Sequence, residues 1–341
     1  MSSHLNWGII GTGNIAGQFA AGVAGAQRGS IRAVASRSQA SAAAFAQKWQ
    51  IATAHSSYDA LLANRDVEAI YLSLPNSMHH EWAIKALRAG KHVLCEKPFA
   101  TNAADAEEMF DVAQHQGRVI VEAFMYVSHP QTAAVLKTIQ EGAIGTVRLI
   151  RTGFCYRTNK IDGNIRFSRE LAGGALMDVG CYCLSFARLI SGEEPRDIFA
   201  VSNLLPSGVD EMTAGTLRFP SGIAATFSCG MRVQADNTAY ICGTEGYLEI
   251  PWPWKPQLQA TFTIAKNIPP RQDGGVVGSE QPRRTITVSA DRPLYALEAD
   301  EFAAAVLDGA KPAVSRAATI GNMKLLDAIR SQVGIGFSGD R

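Results

Sequence analysis

Short apolar segments alternate with longer segments of helical periodicity along the first third of the chain. Leu5–Ile10 is an apolar run that breaks at Gly11, and the Ala-rich stretch after it has apolar residues at helical spacing. Apolar strands without polar alternation are typical of a sheet covered on both faces, and the intervening helices are typical of parallel crossover connections. The pattern therefore predicts a doubly wound α/β domain with a parallel sheet over residues 1–125. The predicted strands cover residues 5–10, 31–35, 68–74, 91–95 and 118–122, and the predicted helices cover residues 15–26, 39–50, 77–89 and 103–116, with a short helix ending at Leu62.

The pattern changes after Glu122. Long strand-like runs are joined by tight turns such as Pro220-Ser221-Gly222, which predicts antiparallel hairpins. We therefore expect residues 126–341 to form a second, α+β domain that binds substrate, with a large, mostly antiparallel open sheet whose uncovered face favours a homodimer or higher homo-oligomer. The predicted strands cover residues 146–156, 197–203, 212–219, 223–230, 238–242, 247–250, 259–264 and 284–288. The predicted helices cover residues 130–141, 294–307 and 317–332, and residues 171–190 are predicted to be a glycine-rich segment that continues as a helix. A Gly/Pro-rich loop is expected over residues 267–283.

Composition narrows the function without naming it. The 341 residues include 47% apolar and 18% charged residues, and the formal net charge of +1 gives no reason to expect nucleic acid or an anionic membrane as a partner. No apolar run approaches the roughly 18–20 residues that span a bilayer, and no signal-peptide pattern is visible. The six cysteines form no CxxC pair, and Cys181 and Cys183 do not share a helical face, so we expect no metal site and a cytoplasmic location.

A glycine-rich turn follows the first predicted strand. Its sequence is GTGNIA, a GxGxxA pattern at a strand-to-helix junction, where the first glycine permits a tight turn and the second lets the backbone approach a pyrophosphate. The start of the helix offers free N–H groups to phosphates. The turn therefore predicts a dinucleotide site that includes Gly11, Gly13, Asn14 and Ile15.

The tip of the second predicted strand indicates which dinucleotide binds. NAD-type sites place Asp or Glu there to hold the ribose 2′-OH, whereas this chain has Ser36 and Arg37. A hydroxyl and a guanidinium suit a 2′-phosphate, so we expect NADP, with NAD still possible. The alternative is that Arg37 is only a solvated loop residue.

Candidate reactive side chains lie in three segments that could meet near a nicotinamide. Glu96-Lys97-Pro98 follows a predicted parallel strand, at the sheet edge where α/β proteins bind ligands. The segments 122–126 and 173–182 are the other two, and in the latter Asp178 and Tyr182 are four residues apart, on one face of a helix. The alternatives stay open: a strand-end lysine, an acid at a helix N-terminus and a half-buried core tyrosine. Trp252–Trp254 could be a substrate platform or packing.

Three motifs are similar to those of the glucose–fructose oxidoreductase / inositol dehydrogenase (Gfo/Idh/MocA) family. They are GTGNIA, LPNSMHHEWAIKALRAGKHVLCEKP at residues 74–98 and GGALMDVGCY at residues 173–182, and the resemblance covers essentially the whole chain. It implies an NAD(P)-dependent oxidoreductase with an N-terminal Rossmann domain and an α+β domain that often dimerises through its open sheet. The family's catalytic lysine matches Lys97, and the adjoining peptide helps to seat the nicotinamide.

The third motif departs from the usual pattern, in which a histidine follows the aspartate. Tyr182 occupies that position, as in the branch with glucose–fructose oxidoreductase, dimeric dihydrodiol dehydrogenases and NADP-dependent xylose dehydrogenases, where tyrosine is the acid/base. EAFMYVSHPQ at residues 122–131 also resembles that branch, except that Val127 replaces its usual arginine.

The resemblance and the residues together imply an NADP-preferring oxidoreductase that transfers a hydride to or from a hydroxyl-bearing carbon of a sugar or cyclic polyol or diol. We expect Tyr182 to be the general acid/base, Lys97 to lower its pKa and orient the substrate, and Asp178 to hold another hydroxyl. Two alternatives remain: a non-catalytic NAD(P)-binding regulator, and a redox-assisted glycosidase with recycled nucleotide. The residues expected to shape the nucleotide pocket beyond the glycine-rich turn, Ser36 and Arg37 are Leu74, Pro75, Asn76, His79, Glu96 and Lys97.

Overall fold

A computed structural model describes residues 4–266 and 282–337, and most of the loop expected over 267–283 lies outside the described residues. The first part of the chain forms a parallel sheet of six strands flanked by helices. Its elements are β1 (Leu5–Ile10), α1 (Asn14–Val23), β2 (Gly29–Ala35), α2 (Gln39–Trp49), β3 (Thr53–His55), α3 (Tyr58–Leu62), β4 (Ala69–Leu72), α4 (His79–Arg88), β5 (His92–Glu96), α5 (Ala103–His115) and β6 (Ile120–Ala123). The predicted doubly wound α/β architecture is confirmed.

The strand order of this sheet is β3-β2-β1-β4-β5-β6, so the order reverses between β1 and β4. In open α/β sheets a ligand binds at the carboxyl ends of the strands beside this reversal. Gly11 follows β1 there, and Lys97 follows β5. The topology therefore directs both the glycine-rich turn and the candidate lysine to one edge of the sheet.

The second part of the chain forms an eight-stranded sheet in the order β14-β13-β12-β11-β7-β10-β9-β8. Neighbouring strands are antiparallel except for β7 and β10, which run parallel, so the expected mostly antiparallel sheet is confirmed. Its elements are α6 (Pro130–Gln140), β7 (Val147–Cys155), α7 (Cys181–Ser191), β8 (Asp197–Leu204), β9 (Asp210–Arg218), β10 (Ala224–Gly230), β11 (Ala239–Gly243), β12 (Gly246–Ile250), β13 (Gln259–Lys266), β14 (Arg283–Ser289), α8 (Leu294–Asp308) and α9 (Arg316–Val333).

The two closing helices return to earlier parts of the chain. Helix α8 packs on α1, and Phe302 lies against Trp7 of β1 with ring centroids 5.1 Å apart. Helix α9 contacts both α5 and α7. One face of the first sheet is therefore covered by residues from the end of the chain, a contact that the predicted division at residue 125 does not include. That division stays a prediction.

One continuous apolar core joins the carboxyl edge of the first sheet to the second sheet. Phe99 and Tyr126 from the first sheet's edge share this core with Tyr182 of α7 and Phe227 of β10. Asn76 also reaches across, because its Nδ2 donates to the Ala172 carbonyl at 2.8 Å. The candidate site therefore lies at a packed junction.

Candidate active site

The glycine-rich turn has the geometry that a dinucleotide requires. Gly11 has φ +105°, and a Cβ added there would lie 2.9 Å from the Ser73 carbonyl oxygen, so only glycine fits without strain. Gly13 is the N-cap of α1 and makes no side-chain capping bond, and a Cβ added to it would meet no protein atom within 4 Å. The free N–H groups and the open space above them fit a pyrophosphate. A groove of about 590 Å³ begins here and runs between α1 and α2.

The tip of β2 carries hydroxyl groups and a guanidinium. Ser38 caps α2 by accepting from the Ser41 N–H at 3.3 Å, and Ser36 Oγ accepts from the Ser38 N–H at 3.4 Å. Arg37 is exposed, and its charge and hydrogen bond act on the Tyr58 phenol, whose pKa burial raises. Arg37 therefore has one protein partner here and retains donors for an anion.

The segment after β4 is held in place by a buried histidine. The two ring nitrogens of His79 lie 2.9 Å from the Pro98 and Leu74 carbonyl oxygens, and burial lowers the pKa of the ring. His79 is fully buried and does not reach the cavity between the glycine-rich turn, the end of β5 and the second sheet. It therefore positions two loops at the sheet edge, while Asn76 lines the cavity itself.

A cavity of about 450 Å³ lies between the glycine-rich turn, the end of β5 and the second sheet. Lys97 extends into it, with Nζ 2.8 Å from the Asp178 carbonyl oxygen and 3.4 Å from Asp178 Oδ1. Burial acts to lower the pKa of Lys97, but the charge of Asp178, with smaller effects from Cys181 and Glu96, outweighs it and raises the pKa. Lys97 is therefore a fixed cation in the cavity. The predicted site residues that line it are Asn14, Ile15, Asn76, Glu96, Lys97, Asp178 and Tyr182.

Asp178 connects three other polar side chains. Its Oδ2 accepts from the Tyr156 hydroxyl at 2.7 Å and from Arg166 Nε at 3.0 Å, while Oδ1 faces Lys97. Burial acts to raise the pKa of Asp178, but the charges of Lys97 and Arg166 lower it below its ordinary value. The carboxylate is therefore ionised and fixed.

Tyr156 and Arg166 are site residues that the sequence analysis missed. Tyr156 follows β7 directly, so a polar tip on a predicted strand was the available signal. Arg166 lies in the irregular stretch between β7 and α7, where no periodicity marks a position.

Tyr182 is packed by aromatic rings and is only 3% exposed. Its hydroxyl donates to the Met125 sulfur at 3.4 Å, and Lys97 Nζ lies 5.0 Å from the centre of its ring. Burial raises the pKa of Tyr182 well above its ordinary value, and the nearby acidic groups add to the rise. The expectation of a lowered pKa at Tyr182 is therefore wrong, because burial outweighs any effect of the nearby ammonium.

The turn that contains Lys97 is supported by two buried acids. Glu96 points inward, where it accepts from the Tyr71 hydroxyl and from the Lys97 N–H, and burial raises its pKa. Glu122 of β6 accepts from the Phe99 N–H at 3.1 Å. The Lys97–Pro98 peptide bond is cis. Both carboxyl groups therefore hold backbone on either side of Pro98.

The remaining residues singled out in the sequence are Trp252, Trp254 and Val127, and they differ in burial and in what they contact. Trp254 is buried, donates to the Gly153 carbonyl at 2.9 Å and stacks on Phe154, whereas Trp252 is 66% exposed. Packing therefore accounts for Trp254. Val127 packs against the core and does not line the cavity.

A dinucleotide-type turn beside a cavity that holds a lysine, an aspartate and a tyrosine defines an NAD(P)-dependent oxidoreductase that acts on CH–OH groups. The chain belongs to the Gfo/Idh/MocA oxidoreductase family. The model for the oxidoreductase family with an NAD-binding Rossmann fold matches residues 5–124, and the model for the GFO/IDH/MocA C-terminal domain matches residues 132–249.

Relatives and solved structures agree with this assignment. The chain is 33% identical to a D-xylose 1-dehydrogenase (NADP(+)) of Haloferax volcanii over 95% of its own length and 96% of the relative's. It is 32% identical to the mouse trans-1,2-dihydrobenzene-1,2-diol dehydrogenase over 99% of both chains. A 3-ketoreductase from Actinomadura kijaniata, solved with NADP and TDP-benzene, superposes with a TM-score of 0.87 at 29% identity over 97% of this chain and 98% of the other. Among the described residues, no helix has the length and apolar character needed to cross a membrane.

Proposed function

We propose that this enzyme uses NADP(H) to interconvert a secondary hydroxyl and a carbonyl on a sugar or a cyclic diol, with Tyr182 as the acid/base. The observation that supports this most strongly is the shared cavity. Lys97 is about 80 residues from Asp178 and Tyr182 in the sequence, and all three line the space that Asn14 of the glycine-rich turn also lines. A proton-transfer group, a fixed cation and a cofactor turn are the parts that such a reaction needs.

The lining of the cavity suits a hydroxylated ring. Tyr156, Asn164 and Arg166 supply hydrogen-bonding groups, while Phe154 and Tyr182 supply flat apolar walls. A ring with hydroxyl groups on its edge and C–H groups on its faces matches both features. The xylose and dihydrobenzene-diol dehydrogenases among the relatives are named for substrates that share adjacent hydroxyl-bearing carbons.

Each side chain has a distinct part in the proposed mechanism. When bound, the nicotinamide supplies or accepts the hydride. Tyr182 is neutral at neutral pH, since burial raises its pKa, and it can therefore donate its proton to a carbonyl oxygen in reduction. The phenolate that this transfer leaves is the form that takes the hydroxyl proton in oxidation. Lys97 offers a positive charge to the same oxygen, and Asp178 keeps that ammonium protonated and aimed.

The tip of β2 supports NADP as the preferred dinucleotide. Ser36 and Arg37 stand where an acid would contact a ribose 2′-OH, and a guanidinium pairs well with a 2′-phosphate. NAD is the alternative cofactor, and assays with NAD(H) beside NADP(H) distinguish the two.

The experiment measures NADPH formation and consumption with a panel of aldoses, cyclic diols and their keto forms, using NADP(H) and NAD(H). Turnover with NADP(H) and one of these substrate classes supports the proposal. Tyr182→Phe should lower kcat by about 10²–10⁴-fold, and Lys97→Met should abolish turnover, while both keep NADPH binding largely intact. Tyr240→Phe, on β11 outside the cavity, is the matched control and should keep wild-type kcat. Wild-type kcat in Tyr182→Phe would sink the assignment of the acid/base.

We also propose that the open sheet forms a homodimer and that the protein works in the cytoplasm. On edge strand β8, Phe199 and Val201 are 69% and 70% exposed, and such a patch is typical of an interface. All six cysteines are unpaired, which suits a reducing compartment. Light scattering after gel filtration tests the dimer, and a monomer at micromolar concentration would refute it.

A further inference from the structure

Lys255 enters the catalytic cavity from the second domain. It lies in the segment between β12 and β13, directly after the buried Trp254, and it lines the cavity together with Lys97 and Asn14. Because Trp254 is fixed by its stacking on Phe154 and its bond to Gly153, the backbone of Lys255 has a rigid anchor. The charge of Lys255 therefore has a defined place in the cavity.

Lys255 meets the cofactor helix through Gln18. The Gln18 Oε1 lies 3.5 Å from Lys255 Nζ and also accepts from the Tyr295 hydroxyl at 3.3 Å. Gln18 belongs to the second turn of α1, and helical side chains lean toward the N-terminus of their helix. The Lys255 ammonium therefore lies close to the first turn of α1, which follows Gly13.

Lys255 differs from the other cations of the cavity in its partners. Lys97 and Arg166 both pair with Asp178. Within residues 4–266 and 282–337, Lys255 makes no ion pair. Its pKa is lowered by burial and by the charge of Lys97, which together outweigh the opposing charges of Glu96 and Asp178. Desolvation and repulsion by a second cation both disfavour the charged form of Lys255. A bound anion would offset both effects.

Two cofactor surfaces meet at Gln18. It lines both the catalytic cavity and the groove between α1 and α2 that starts at the glycine-rich turn. A dinucleotide that places its pyrophosphate on the N-terminus of α1 and its nicotinamide beside Lys97 must pass this point. We propose that Lys255 binds a phosphate of the dinucleotide and so holds the nicotinamide half from the side of the second domain, an inference that rests on the proposed function.

The same charge could instead serve an anionic substrate. The cofactor is the better assignment, because Lys255 bonds to Gln18 of α1, whereas Arg166 and Tyr156 bond to Asp178. A substrate anion would be expected to seek the exposed guanidinium of Arg166 first. Loss of Lys255 would weaken NADPH binding if it binds the cofactor, and would raise the KM of the substrate if it binds the substrate.

The experiment titrates the full-length protein with NADPH at low and raised salt and follows tryptophan fluorescence. Lys255→Met should raise the Kd of NADPH about tenfold and reduce its salt dependence, because one charge-assisted contact is lost. Lys255→Arg should restore most of the affinity. Lys137→Met removes an exposed lysine that does not line the cavity and should change nothing. Adenosine 2′,5′-bisphosphate, which lacks the nicotinamide half and the pyrophosphate, should bind wild type and Lys255→Met equally.

The outcomes separate this inference from the proposed function. Wild-type protein that fails to bind NADPH or NADH would refute the proposed function. Wild-type affinity for NADPH in a folded Lys255→Met protein would overturn the inference alone. A raised KM for substrate with unchanged NADPH affinity would assign Lys255 to the substrate, and an equal loss for the bisphosphate would overturn its placement at the nicotinamide half.

Discussion

Glu122 offers a sharp test of how the lysine-bearing turn is supported. The side chain is 1% exposed, and its carboxyl group accepts from the Phe99 N–H, two residues after Lys97. Burial raises its pKa to about 8, while Thr319 and the Phe99 amide oppose the rise. We predict that Glu122→Gln will remove much of the pH dependence of stability above pH 6, because the amide resembles the neutral acid and still accepts from Phe99.

The magnitude follows from linkage. An unfolded glutamate loses its proton near pH 4.5, whereas Glu122 keeps its proton in the folded protein until about pH 8. Over that interval the folded state binds more protons, so stability is highest in acid, falls as the pH rises and levels off above about 8. The full effect is about 5 kcal/mol at most, and about 3 kcal/mol of it falls between pH 6 and pH 9.

The assay is urea unfolding at a series of pH values from 6 to 9. Wild type should lose about 3 kcal/mol more than Glu122→Gln over this range. Other buried acids affect both proteins equally and cancel in the comparison. Glu141→Gln replaces an exposed acid paired with Lys137 and should follow the wild-type curve. Parallel curves for wild type and Glu122→Gln would show that Glu122 does not titrate in this range, and the reasoning from burial would fail.

Two further predictions concern the cofactor site. Gly13→Ala should leave the melting temperature near wild type, because the added methyl meets no protein atom, yet it should weaken NADPH binding at least tenfold. Gly11→Ala should lower the free energy of unfolding by about 1–3 kcal/mol, since the residue needs a positive φ beside Ser73. Differential scanning fluorimetry and NADPH titration measure both, and a normal affinity in Gly13→Ala would contradict the pyrophosphate assignment. Arg37→Ser should lower kcat/KM for NADP at least tenfold and leave that for NAD within about twofold, as measured with saturating substrate; an equal loss for both would refute 2′-phosphate recognition.

Local patterns predicted most helices and strands well, because each depends on apolar spacing within about ten residues. The exceptions have physical causes. Strand β3 has only three residues, all half-buried, so it lacks an apolar run. The parallel pairing of β7 with β10 joins strands about 75 residues apart, and no local signal specifies that partner.

The candidate site shows the same limit. Lys97, Asp178 and Tyr182 were predicted from motifs, and the structure brings them to one cavity. The roles of Tyr156 and Lys255 depend on where a distant strand and loop arrive in space, which residue spacing does not specify. The direction of the Tyr182 pKa depended on burial, which cannot be read from residue types.

The return of α8 to the first sheet also has a consequence for the order in which the protein is made. Trp7 and Phe19 leave the ribosome roughly 300 residues before Phe302 and Ala303, which are part of the surface that covers them. Until translation passes α8, this face of the nascent nucleotide-binding sheet is apolar and unfilled, which exposes it to chaperones and to wrong partners. Completion of the cofactor domain is thus tied to the synthesis of α8, and a chain arrested before α8 would lack both the cover of its first sheet and a finished binding site.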